Sequence, residues 1–204
     1  MNRLVFWDVD TQVDFILPAG KLYVPGAEQI IPNLMRLTSF AVQHGIHNIS
    51  SMDAHLETDP EFSEYPPHCL LGTPGQKKIE GTVLLEHFVV PNRKIDLPAN
   101  LGSLPQIMIE KQATDVFTNP NMDELLRRLG GDREIILYGV VTEICVLQAA
   151  RGLIERGRHV HLVTDATRAL DRQKAEETTR IVRRNGGMIL NTEEILSGVL
   201  QPTR

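Results

Sequence analysis

The sequence predicts an α/β fold, a doubly wound and mainly parallel sheet of about six strands with helices on both faces. Three observations predict it. Short apolar runs alternate with longer stretches of helical periodicity, as a parallel sheet with crossover helices requires. The 204 residues suffice for one well-buried core and are short for two, with no repeat, linker or low-complexity tract. Hydrophobic content of 42% and charged content of 23% are ordinary for a globular chain. Residues 1–204 therefore read as a single domain.

Leu4 to Val9 is the first strand. A helix follows from about Glu28 to His44: Ile30, Ile31, Leu34, Leu37 and Val42 recur near helical spacing, and Gly45 stops it. Pro32 falls within its first turn, where a missing N–H costs least. Asn48 to Met52 is the second strand. The segment from about 53 to 104 is loop-rich, with Pro66, Pro67, Gly72, Pro74, Gly75 and Gly81. A structureless loop of that length is unusual, so it reads as a functional excursion holding short elements. Alternation then resumes: strand Gln106–Ile109, helix Met122–Leu129 ended by Gly130-Gly131, strand Glu134–Val140 and helix Glu143–Arg156 stopped by Gly157. Strand His159–Val163, helix Arg172–Asn185, strand Met188–Leu190 and a helical turn or two at Thr192–Leu196 complete the chain.

The formal net charge is −5 and basic residues cluster no further than Arg127-Arg128 and Arg183-Arg184, which argues against nucleic acid as a partner. No apolar run approaches the roughly 18 residues that span a bilayer, and the N-terminal residues lack a signal-peptide layout. The expectation is a cytoplasmic protein with no membrane partner. Cys69 and Cys145 could pair, but a reducing compartment and a site-like setting for each argue against a disulfide.

Chemistry concentrates at strand ends. Asp53-Ala54-His55, then Glu61, then Tyr65-Pro66-Pro67-His68-Cys69 gather two imidazoles and two carboxylates, a mixed N/O set that borderline divalent metals accept. This cluster follows a strand, the end at which open α/β sheets bind ligands. Asp10 follows the first strand, Lys111 follows Ile107-Met108-Ile109-Glu110, and Cys145 follows Tyr138-Gly139-Val140-Val141-Thr142. With Thr142 as N-cap, Cys145 falls near the third helical residue, where the helix dipole favours a thiolate. A neighbouring carboxylate can take the thiol proton. The plain alternatives are a packed core cysteine, a turn aspartate and a solvated lysine. Asp8 competes with Asp10, since alternation puts both on one face of an extended strand. Cys69 competes with Cys145 but lies in a Pro-rich loop. His44, His47, His87, His159 and His161 lack carboxylate partners at ligand spacing and read as surface or core residues.

The combination Asp10-x-Gln12-x-Asp14-Phe15, Asp53-x-His55, Tyr65-Pro66-Pro67-His68-Cys69-x-x-Gly72-Thr73-Pro74-Gly75, Lys111 and Cys145 resembles the isochorismatase-like cysteine hydrolases. Within that superfamily it is similar to the nicotinamidase/pyrazinamidase branch, from the first strand to about Asp165. The resemblance implies a catalytic triad of Asp10, Lys111 and Cys145. It implies an oxyanion hole of the Val141 and Cys145 N–H groups, with a cis peptide between Val140 and Val141. It implies aromatic substrate contacts at Phe15 and Tyr65. It also implies a divalent metal, zinc first with manganese or iron as alternatives, held by Asp53, His55, Glu61 and His68. The implied reaction takes nicotinamide to nicotinic acid and ammonia through a thioester. Glu61 stands where many nicotinamidases carry a third histidine, and Tyr65 where tryptophan is common.

Three other readings stay open. Another amidase of the superfamily could act on a carbamoyl or ureido compound without metal. A metal-bound water could be the nucleophile, with Cys145 merely packed. A binding protein with a decayed site would lack a catalytic member, and none is missing. Isochorismate vinyl-ether hydrolysis fits less well, because that chemistry does not use the cysteine. The expected partner is a small-molecule amide, and a homo-oligomer is compatible with the fold class.

Overall fold

The computed structural model describes residues 3–200. In chain order the regular elements are β1 (Leu4–Val9), α1 (Val13–Ile16), α2 (Ile31–Gln43), β2 (His47–Asp53), β3 (His87–Val90), β4 (Gln106–Lys111) and α3 (Met122–Leu129). They continue as β5 (Glu134–Val140), α4 (Cys145–Glu155), β6 (His159–Arg168), α5 (Arg172–Arg184), β7 (Ile189–Leu190) and α6 (Thr192–Leu196). All seven strands pair in parallel in the order β3-β4-β2-β1-β5-β6-β7.

Side-chain alternation along β1 feeds two cores. Val5, Trp7 and Val9 pack with Leu125 of α3, Val146 and Leu153 of α4 and Val182 of α5. Leu4 and Phe6 pack on the opposite face with Leu34, Leu37 and Ala41 of α2 and Ile195 of α6. The sheet is thus buried on both faces, as a parallel sheet must be. The chain winds outward from β1 in both directions, to β2 on one side and β5 on the other. That reversal opens a crevice at the carboxyl ends of the strands.

The strand count is seven rather than about six, because β3 lies inside the loop-rich excursion. Its four residues, His87-Phe88-Val89-Val90, are too few for a periodicity to register, and Pro91 follows directly. Two other differences bear on the site. β2 and β4 run on to Asp53 and Lys111, which stand opposite each other in register. Helix α4 begins at Cys145 rather than Glu143, so Thr142 is not its N-cap and Cys145 is its first residue. Thr142 is engaged elsewhere: its N–H donates to the Arg168 carbonyl at 2.9 Å and its carbonyl accepts from Thr178 Oγ1 at 2.8 Å. Helix α2 begins at Ile31 because Ala27–Ile30 forms a 3-10 turn, with Pro32 in the first helical turn as expected. β6 continues to Arg168, beyond the apolar run that ends at Val163. No helix among the described residues is long and apolar enough to cross a membrane.

Candidate active site

The carboxyl ends of β1, β2, β4 and β5 converge on Lys111, whose side chain is 1% exposed. Its Nζ lies 2.9 Å from Asp10 Oδ2 and 3.7 Å from Cys145 Sγ, and it also meets Asp53 Oδ1. Asp10, Lys111 and Cys145, which lie far apart in sequence, thus form one buried contact group. β1 stops at Val9, and Asp10 takes a φ of 50° that turns its carboxyl away from the strand pattern. Its other oxygen accepts from Ser51 Oγ at 2.8 Å. Asp8, the expected competitor, is instead paired with Lys78 Nζ at 2.7 Å.

Burial sets the protonation states. It pushes the Asp10 carboxyl above its ordinary value, with Lys111 opposing and Asp53 reinforcing. It pushes the Cys145 thiol well up, again against Lys111 and with the two carboxylates adding to it. The resting sulfur is therefore a thiol, and the helix N-terminus alone does not make it a thiolate. For Lys111 burial works against the charge, but Asp10 and Asp53 outweigh it and hold the ammonium well above its usual range. A protonated thiol beside a carboxylate of raised basicity and a fixed cation is an arrangement for proton transfer coupled to nucleophilic attack.

The Val140–Val141 peptide is cis. The Val141 and Cys145 N–H groups donate to no other group among the described residues, so both are available to a developing oxyanion. Phe15, Tyr65, Val141, Ile144, Cys145 and Leu170 line a cavity of about 70 Å³ that also reaches Asp53, Glu61 and His68. Phe15 also packs against His68, with ring centroids 5.2 Å apart. A larger cavity of about 450 Å³ adjoins it at Leu170 and contains none of the expected site residues.

Asp53, His55, Glu61 and His68 each offer one ligand atom, all within 4.8 Å of one another. That is close to the spacing of donors around one ion with bonds of about 2 Å. The Nε2 atoms of His55 and His68 lie 3.7 and 3.6 Å from Asp53 Oδ2. They lie 3.9 and 3.8 Å from Glu61 Oε1. His55 Nε2 is buried without a hydrogen-bond partner. Its Nδ1 meets Asp59 Oδ2 at 2.9 Å, and His68 Nδ1 meets the Pro66 carbonyl at 2.8 Å. Acceptors at Nδ1 keep the proton there and aim the Nε2 lone pairs inward, the outer-shell arrangement of metal-binding histidines. The donor set suits a divalent metal. Although burial works the other way, Lys111 and the two imidazoles hold the Asp53 carboxyl below the usual range. His55 is held above the imidazole range by Asp53 and Asp59, again against burial.

Both cysteines are free. The Cys69 thiol is pushed far up by burial, and no hydrogen bond joins it to Asp10 or Lys111. Of the other histidines, His161 does meet a carboxylate, Glu134 at 2.8 Å across β5 and β6, and Glu134 also pairs with Arg3, apart from the quartet. Sequence reasoning missed Ser51, Asp59, Ile144 and Leu170. Asp59 alone carried a signal, a carboxylate four residues beyond a candidate ligand on a turn before Pro60.

Residues 4–194 match the isochorismatase domain family. The isochorismatase domain-containing protein 1 of Danio rerio is 34% identical over 132 residues, 60% of this chain and 45% of its own. The chain spans about half the length of the curated relatives it matches first. The nicotinamidase/pyrazinamidase of Mycobacterium tuberculosis is 25% identical over 166 residues, 78% of this chain and 83% of its own. The pyrazinamidase of Pyrococcus horikoshii, solved in complex with zinc, superposes with a TM-score of 0.74 at 25% identity, covering 93% of this chain and 99% of that one. With the domain match running from β1 into α6, the chain belongs to the isochorismatase family.

Proposed function

We propose that this chain is a metal-containing cysteine amidohydrolase that converts nicotinamide to nicotinic acid and ammonia. One observation carries the reading: Cys145 lines the same small cavity as Asp53, Glu61 and His68 of the metal-competent quartet, and Asp53 also meets the Lys111 cation that joins the thiol to Asp10. Similarity to a nicotinamidase/pyrazinamidase and to a zinc-bound pyrazinamidase supports it.

Asp10 accepts the Cys145 proton, and Lys111 stabilises the charges that result. The thiolate attacks the amide carbonyl, forming a carbon–sulfur bond. The oxyanion lies against the Val141 and Cys145 N–H groups, and one such donor is typically worth about 3 kcal/mol. Asp10 returns the proton as the carbon–nitrogen bond breaks and ammonia leaves. Asp10 then deprotonates the water that cleaves the thioester, restoring the thiol and releasing the acid. Phe15 and Tyr65 supply apolar faces to the substrate ring. Asp53, His55, Glu61 and His68 would hold the metal, zinc first, which when bound supplies a Lewis acid that anchors and orients a ring nitrogen.

The test is ammonia release from nicotinamide by purified protein, before and after chelation and zinc re-addition. The expected outcome is release that chelation abolishes and zinc restores, with Cys145→Ala lowering kcat by at least about a thousandfold. No release from fully metallated protein would sink the substrate assignment and turn attention to carbamoyl and ureido amides. Full activity in Cys145→Ala would sink the cysteine mechanism and favour metal-bound water.

A further inference from the structure

The sequence motif around Asp10 contains a glutamine to which the reaction gives no role. At Asp10 the backbone leaves β1, and the ladder to β2 ends where the Asp10 N–H donates to the Ser51 carbonyl at 3.1 Å. Asp53, two residues further along β2, therefore has no main-chain partner on that side. The Gln12 side chain takes that place. Its Oε1 accepts from the Asp53 N–H at 2.7 Å, and its Nε2 donates to the Asp53 carbonyl at 2.8 Å. The same Nε2 donates to the Gln76 carbonyl at 2.7 Å. Two carbonyls face the nitrogen and one N–H faces the oxygen, so the network fixes the orientation of the amide. Gln12 is completely buried.

On its other side Asp53 is in register with Lys111 of β4. Asp53 is thus flanked by the Gln12 side chain on one side and on the other by the β4 main chain, where the next residue's N–H, that of Ala54, donates to the Lys111 carbonyl at 2.9 Å. Its carboxylate must serve two directions, Oδ1 toward Lys111 and Oδ2 toward His55 and His68. A shift of about 1 Å at such a residue is enough to cost a hundredfold in rate.

We propose that Gln12 is a positioning residue that fixes Asp53 in this double-facing geometry and so ties the metal-competent quartet to the triad. The proposal rests on the reading of the site as a metal-containing amidase. A glutamine that merely closes loops would contribute to stability and to nothing else.

Three variants separate the two roles. Gln12→Glu keeps the acceptor for the Asp53 N–H but sets an oxygen against two carbonyls. Gln12→Asn keeps the groups one methylene short, and Gln12→Met keeps the volume without the hydrogen bonds. Zinc affinity is measured by competition with a chromogenic chelator. The rate at which iodoacetamide alkylates Cys145 is followed in metal-free protein, where neither metal nor substrate enters, and melting curves report folding. The expected result is folded variants with zinc affinity weakened about 10–100-fold and an alkylation rate at least about threefold from wild type. A folded variant with wild-type zinc affinity and alkylation overturns the proposal, whatever its melting temperature. A set in which none folds also overturns it, because the role is then structural. If wild-type protein binds no zinc, the metal reading fails by itself and the alkylation rates alone decide the role of Gln12.

Discussion

Asp10 shows how burial tunes a side chain for work. It is fully buried, and removal from water raises its carboxyl above the ordinary value despite Lys111. As the proposed proton acceptor, Asp10 must be ionised before substrate binds. Raising its folded-state value moves the loss of that ionised form to higher pH. The acid limb of kcat/KM for nicotinamide should therefore lie above the ordinary aspartate value of about 3.9. Lys111 keeps its proton beyond its ordinary range, so its titration imposes no alkaline loss below about 10.4. The Ser51 hydroxyl bond favours the ionised carboxylate, so Ser51→Ala should carry the acid limb further up. A pH–rate profile of the two proteins checks both statements; a wild-type limb at or below about 3.9 would contradict them.

Elements are held at the site by close backbone approaches. Gly139 in β5 has a φ of 117°, and a Cβ there would stand 2.1 Å from the Val9 carbonyl oxygen. The register between β5 and β6 shifts at this point. Lacking a side chain, Gly139 lets β5 press its end against the end of β1, where it stands opposite Val9 in register. Gly139→Ala should cost about 1–3 kcal/mol by overpacking and lower kcat with it. Wild-type melting and turnover would show that the approach is dispensable. Much of this arrangement was legible beforehand. Reactive residue types after apolar runs marked Asp10, Asp53, Lys111 and Cys145, and hydrophobic period marked the large helices. What was not legible depends on contacts between distant segments. β3 is too short to show a period, and the tail of β6 mixes exposed Thr164 and Asp165 with buried Ala166. Thr142 is kept from capping α4 by its donation to the Arg168 carbonyl and its acceptance from Thr178, contacts that local sequence does not record. Ser51 and Gln12 meet their partners only when other segments reach them.

Across the whole molecule, the quartet ties the long excursion after β2 back to the sheet. Asp53 ends a central strand, whereas Glu61 sits in the 3-10 turn Pro60–Ser63 and His68 in the loop beyond it. A metal that binds only this assembled form stabilises the fold, by about 2.7 kcal/mol at a hundredfold excess over Kd. Chelation should lower Tm and zinc should restore it; an unchanged Tm would count against the quartet as a metal centre. His55 sits above the usual imidazole range, so protons compete for it increasingly as pH falls. Zinc binding should accordingly begin to weaken while the pH is still above the ordinary imidazole value of about 6.5, read by chelator competition.

The division of the Asp53 carboxylate between Lys111 and the histidines also sets a charge balance. Asp10 and Asp53 face the Lys111 ammonium, while Asp59 and Glu61 face the His55 and His68 imidazoles, so carboxylates outnumber the ammonium and one dication would offset most of that excess. In the proposed reaction a neutral amide enters this pocket without adding charge. The acid formed from it would be an anion facing those carboxylates. On that reading the pocket is a poor host for its own product, and inhibition by nicotinate should be weak beside the affinity for nicotinamide.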